Sequence, residues 1–120
     1  MYLPEKLPNI VTVPSPYHEL AEAMRRGCLM RPEQAFNIYE VGDWACALGA
    51  AALGSDIPVK IFATLRTTAD ALRDRFPVLT ERTVPPCSHP LEMSVLEAVV
   101  HLNDGEHWKR ERIADWLDTL

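Results

Sequence analysis

Apolar positions along this chain recur mostly at three- and four-residue intervals, the period of helices that bury one stripe. Ser15-Pro16 followed by Tyr17, Leu20, Ala21, Met24 and Gly27 predicts a first helix over about 16–26, with a serine N-cap, proline at the first helical position and a glycine stop. Its outer face, with His18, Glu19, Glu22, Arg25 and Arg26, is expected to be solvated, Glu22 pairing with Arg26. Asp43 can cap a second helix from Trp44 through Ala45, Cys46, Ala47 and Leu48 to Leu53, ended by Gly54. A mid-helix glycine costs about 1 kcal/mol against alanine, so Gly49 among Ala45, Ala50, Ala51 and Ala52 predicts that another backbone packs very close.

Residues 55–66 carry two patterns. Val59, Ile61, Ala63 and Leu65 alternate like a strand, while Pro58 after Ser55-Asp56 opens a helix, which is the reading adopted. Thr67 then caps a segment with Ala69, Leu72 and Phe76 on its inner side, ended by Pro77. The densest apolar run follows His89-Pro90: Leu91, Met93, Val95, Leu96, Ala98, Val99, Val100 and Leu102 predict a central, mostly buried helix. Asn103-Asp104-Gly105 should end it, with Gly105 free to take positive φ. Trp108 and Ile113 then have the spacing of a hydrophobic staple around an N-cap at Lys109, and Ile113, Trp116, Leu117 and Leu120 form the inner face of a last helix. That helix should lie as a lid on the one from Leu91 to Leu102, anchored by Trp108 and Trp116. The fold class expected is mainly α, a bundle of about five helices.

Pro4, Pro8, Pro14 and Pro16 make residues 1–15 an extended, proline-rich N-terminal arm, leaving 16–120 as a single helical domain. Tyr2, Leu3, Ile10, Val11 and Val13 are apolar enough to pack on the helical body or on a second copy. The length of 120 residues, with 48% hydrophobic and 24% charged, is that of an ordinary globular domain. Seventeen acidic against twelve basic residues give a net charge of -5, which disfavours a general electrostatic hold on nucleic acid or an anionic membrane. No apolar run approaches the roughly 18 to 20 residues of a membrane span, and the N-terminus shows no signal-peptide pattern. Three cysteines, an odd set, fit thiols kept reduced in the cytoplasm.

Three elements together resemble small uncharacterised bacterial and phage proteins of unknown function. They are Gly27-Cys28-Leu29-Met30-Arg31-Pro32 with Gln34; Cys46-Ala47-Leu48-Gly49-Ala50-Ala51; and His101-Leu102-Asn103-Asp104 followed by Trp108, Arg110-Glu111 and Ile113-Ala114-Asp115-Trp116-Leu117. In that pattern a serine or threonine follows the tryptophan and caps the last helix; Lys109 stands here. The resemblance implies a compact, mainly helical fold and carries no assigned reaction.

Candidate chemistry is sparse. Cys46 near a helix N-terminus, with His101, Asn103 and His107 downstream, is the one arrangement reminiscent of thiol hydrolases, although its alanine and leucine neighbours are those of a core cysteine. Cys87 and His89, with His101 and His107, are the candidate metal ligands, but their spacing is poor for a structural zinc site and neither metal nor cofactor is expected. The segment from Arg110 to Leu117 has the look of one helix of a DNA reader. Acids outnumber bases around it, and Arg110 and Arg112 could reach phosphate only if it were the second helix. Asn103, Asp104, Trp108 and Arg31 are the candidate binding residues. The function expected is that of a small cytoplasmic interaction or regulatory protein, its partner another protein or a second copy of itself, with a thiol-dependent enzyme or a metal-stabilised binding domain as the alternatives.

Overall fold

A computed structural model describes residues 15–41, 43–57, 65–88 and 90–120; the proline-rich arm, His89 and most of the segment with two patterns lie outside the described residues. Five α-helices dominate: α1 (Pro16–Met30), α2 (Ala47–Gly54), α3 (Leu65–Arg75), α4 (Val95–Val100) and α5 (Arg110–Leu117). A 3-10 turn, Pro77–Thr80, follows α3, and a π turn, His101–Gly105, continues α4. Five two-residue strands tie the connections: β1 (Glu33–Gln34), β2 (Glu40–Val41), β3 (Trp44–Ala45), β4 (Arg82–Thr83) and β5 (Met93–Ser94). β3 is central, parallel to β1 and antiparallel to β2, while β4 pairs antiparallel with β5.

Ser15 caps α1 as its sequence predicts, its hydroxyl accepting from the Tyr17 amide at 3.2 Å. The helix does not stop at Gly27, however, but runs on to Met30. Gly27 serves contact instead: a Cβ there would collide with the Ala50 carbonyl, and a Cβ at Gly54 with the Ala23 carbonyl. Ala23 and Gly27 on α1 thus face Gly54 and Ala50 on α2, so the two helices cross antiparallel at backbone contact. Gly49 answers to a third backbone, the Tyr39 carbonyl, as its sequence context foretells. An eight-residue helix such as α2 is marginal alone. Closing it onto α1 buries every residue from Ala47 to Ala52.

The predicted starts of α2 and α4 come too early. Trp44 and Ala45 form the central strand, so the N-cap is Cys46 rather than Asp43. Residues 91–94 are extended, Leu91 being exposed, and α4 begins after Ser94. Ser94 and Glu97 form a reciprocal capping box: the Glu97 amide donates to Ser94 Oγ at 3.1 Å and the Ser94 amide to Glu97 Oε1 at 3.0 Å. Thr67 lies inside α3 rather than capping it, while Ala69, Leu72 and Phe76 are buried as expected.

α5 packs chiefly on α1, not on α4. Ile113, Ala114 and Leu117 are buried, but Trp116 is only half-buried and Leu120 is exposed, so the inner face is narrower than its periodicity suggests. Trp108 packs at the core's edge under the Arg112 guanidinium, 3.6 Å from its ring centre. No side chain caps α5 at Lys109. Arg25, expected in solvent, bonds Asp115 and Asp118 across the α1–α5 contact as well as Glu22, and Arg26 Nε donates to the Gly54 carbonyl at 2.9 Å.

Gly27→Ala separates propensity from packing. In an exposed helix it would stabilise by about 1 kcal/mol; at this crossing it should destabilise by roughly 1 to 3 kcal/mol, because the added methyl meets a backbone carbonyl that cannot rotate away. Urea melts of the two proteins give the sign.

Candidate functional site

The elements converge on a short buried amide. Asn103, in the π turn, is 2% exposed and uses its whole hydrogen-bonding capacity. Its Oδ1 accepts from the Ala47 amide at 3.0 Å and from Gln34 Nε2 at 2.9 Å; its Nδ2 donates to the Ala35 carbonyl at 3.0 Å and to Asp104 Oδ1 at 2.7 Å. The Ala47 amide is one of the donors that the first turn of α2 leaves without an intrahelical partner, so Asn103 caps α2 from far along the chain. Gln34 Nε2 also reaches the Trp108 carbonyl at 2.7 Å, and Asp104 Oδ1 accepts the amide of Asn37, whose φ is 63°. Asn103 therefore joins the loop after β1, the start of α2 and the approach to α5. The sequence motif Asn103-Asp104-Gly105 reads as a solvated stop; in the structure it is a buried junction, and the positive φ falls on His107 (54°).

A second buried polar group lies beside it. Arg110, 3% exposed, cannot reach a phosphate: its NH1 donates to the carbonyls of Arg31 (2.8 Å) and Ala45 (3.0 Å), its NH2 to that of Pro32 (2.8 Å). No basic residue occupies the last turn of α1, so Arg110 supplies the positive charge that the C-terminal carbonyls of that helix favour. Its Nε is buried with no hydrogen-bond partner. Arg31 acts through its backbone in this contact, as the C-cap of α1.

Above the Asn103 junction opens a cleft of about 230 Å³. Ile38, Tyr39, Leu48, Val99 and Val100 form its apolar lining; Asn37, Asn103, Asp104 and Cys46 complete it. Ile38 and Val100 are each 38% exposed, and Phe36 and Trp44 add exposed apolar surface on a neighbouring groove with His107 and Lys109. The cleft thus unites Cys46, Asn103 and Asp104, while Trp108 and Arg31 stay outside its lining.

Cys46 is the N-cap of α2, its Sγ accepting from the Gly49 amide at 3.3 Å. Burial pushes its thiol up to about 11, against the pull of the Gly49 and Leu48 amides, so at neutral pH it is a protonated thiol. No histidine lines the cleft among the described residues. His107 lies with its ring centre 4.5 Å from that of Phe36, and His101 faces Cys87 and Glu106. Burial likewise raises the Cys28 thiol to about 11, although Arg110 opposes it. None of the three cysteines is paired.

The donor atoms of Cys87, His101 and Glu106 lie within 4.8 Å of one another. Sequence spacing pointed to Cys87 but not to Glu106, which joins His101 only because a π turn separates them. His89 lies outside the described residues. Compared with protein families, with curated proteins and with solved structures, the chain finds no match in any of the three.

Two measurements probe this junction. Asn103→Asp would set a carboxylate oxygen against the Ala35 carbonyl and Asp104, which raises its folded pKa above the unfolded value of about 3.9. A carboxyl so raised destabilises above that range and recovers as pH falls. The variant should lose roughly 2 to 4 kcal/mol at pH 7, and its deficit against the wild type should narrow toward pH 4 in paired urea melts. Alkylation in chelator-containing buffer, mapped by mass, should modify Cys87 first. Cys46, shifted by about two units, should react at least about 100-fold more slowly than a free small thiol near pH 7; equal rates would promote the enzyme reading.

Proposed function

We propose that this is a small interaction or regulatory protein of the cytoplasm, of the kind found among the bacterial and phage proteins its sequence elements resemble. Its cleft receives one large apolar side chain from a partner protein. The observation that carries this reading is the placement of exposed Ile38 and Val100 around a cavity whose polar wall is held rigid by Asn103. A preformed apolar cavity with few fixed polar groups is the usual form of a specific binding site, and little ordering entropy opposes binding there. Asp104 lines the same cleft and the chain carries a net charge of -5, which favours a partner segment with a lysine or arginine beside its apolar anchor. Three unpaired thiols accord with a reducing compartment. The burial of Arg110 against carbonyls removes one of the two cations that a phosphate-binding last helix would need. Among the described residues, no helix is long and apolar enough to cross a membrane.

Selection of a random dodecapeptide display library on the full chain tests the reading. Enriched sequences should share a large apolar residue next to a basic one. A synthetic peptide of that sequence should bind at least tenfold more weakly to Val100→Glu, and about three- to tenfold more weakly to Asp104→Asn, which keeps the acceptor for Asn37 and removes the charge. Equal enrichment on wild type and Val100→Glu would overturn the proposal. Concentration-dependent self-association abolished by Val100→Glu would replace the foreign partner with a second copy.

A further inference from the structure

A group of side chains on the other side of the π turn has no part in the cleft. His101 and Glu106 are five residues apart, which on an α-helix would set them about 140° apart around the axis. The π turn removes that separation: the Glu106 amide donates to the His101 carbonyl at 3.0 Å, closing a wider turn that brings the two side chains to one face. Glu106 Oε2 then lies 3.4 Å from His101 Nε2. Nε2 is buried and has no hydrogen-bond partner, a costly state for an imidazole nitrogen. Cys87 approaches from the loop after β4, where Pro85 is buried in the core and its carbonyl accepts from the Cys87 amide at 2.9 Å.

We propose that Cys87, His101 and Glu106 form a zinc-binding site that clamps the loop after β4 to the π turn. A thiolate, an imidazole nitrogen and a carboxylate oxygen are the three ligand types zinc takes, and the two anions neutralise its charge. In a tetrahedral site with bonds of about 2.0 to 2.3 Å, neighbouring ligand atoms stand about 3.3 to 3.8 Å apart. The His101–Glu106 separation already has that value, and the whole set, within 4.8 Å, needs a contraction of about 1 Å, within reach of side-chain rotation. Three ligands leave the fourth position to water. Zinc replaces the thiol proton, so binding releases a proton and strengthens with pH. It also satisfies His101 Nε2. Because the π turn carries Asn103 and Asp104, the metal would stiffen the junction beneath the cleft, but the site does not depend on the cleft's being a binding site.

The test uses the full chain, reduced and stripped with chelator, titrated with Co(II) as a spectroscopic substitute for zinc, then with Zn(II) in competition. One Co(II) per chain should bind, with tetrahedral d–d bands and a near-ultraviolet thiolate-to-metal band. Zn(II) should displace it and raise the melting temperature. Cys87→Ser should abolish the thiolate band, His101→Gln should weaken affinity at least 100-fold, and Glu106→Gln about tenfold, whereas Cys28→Ser and Cys46→Ser should change nothing. Circular dichroism checks the fold of each variant, and if Cys87→Ser or His101→Gln fails to fold, Glu106→Gln carries the comparison. No thiolate band with the metal in excess, a band surviving in Cys87→Ser, or an affinity unchanged in Glu106→Gln would overturn the site.

Discussion

The amide of Asn103 is the contact on which most of the other arrangements depend. Four hydrogen bonds from one buried side chain join three segments that are remote in sequence: the loop after β1, the first turn of α2 and the π turn. Each bond meets a group that would otherwise be buried without a partner, and an unmet buried group costs about 1 to 3 kcal/mol. The geometry therefore admits little substitution. Aspartate lacks the two donors, and an aliphatic residue of similar volume lacks everything but the shape. Because Oδ1 caps α2 and Nδ2 holds the Ala35 carbonyl, the cleft wall is fixed by the same bonds that fix the fold.

Two further constraints complete the frame. The α1–α2 crossing is made at backbone distance by Ala23, Gly27, Ala50 and Gly54, so dispersion between main chains replaces the interdigitation of large side chains. Arg110 then seals the end of α1. Its cation is neutralised by no carboxylate but by three carbonyls, two of them at the α1 C-terminus, where the helix dipole is negative. Desolvating a guanidinium is expensive, and this arrangement offsets the cost only while α1, β3 and α5 keep their mutual positions. Arg110 thereby couples α5 to the rest more specifically than the half-buried Trp116 does.

The chemistry is distributed by burial. Cys46 has the position of an activated thiol, at the first turn of a helix, yet desolvation outweighs the amides that would favour its anion. It works as a cap and as part of the cleft floor. Cys87, half-buried and beside His101 and Glu106, is the thiol placed for reactivity with a metal. The π turn separates the two regions: Asn103 and Asp104 face the cleft, while His101 and Glu106 face Cys87. One local backbone distortion thus serves both sides.

The helical class, the N-cap at Ser15, the inner positions Leu20, Met24, Leu72 and Phe76, and the close approach at Gly49 were all legible in the amino-acid sequence, because periodicity and small-residue content depend on short-range geometry. The capping box at Ser94 and Glu97 was legible too, in its Ser-x-x-Glu spacing, but the apolar run from Leu91 concealed it. Two-residue strands have no period, so β1–β3 could not be read, and with them the true start of α2. What only the tertiary structure decided is where polar groups are buried. Asn103 resembles a turn former and Arg110 a solvated cation until their partners, nearly seventy and eighty residues away in sequence, are known to be carbonyls and amides. Glu106 enters a ligand set with His101 only because an i→i+5 hydrogen bond turns both to one face. Local propensity reports what a residue prefers in water; the cost of leaving a buried donor or acceptor unpaired is set by the whole fold, and that cost placed Asn103 and Arg110.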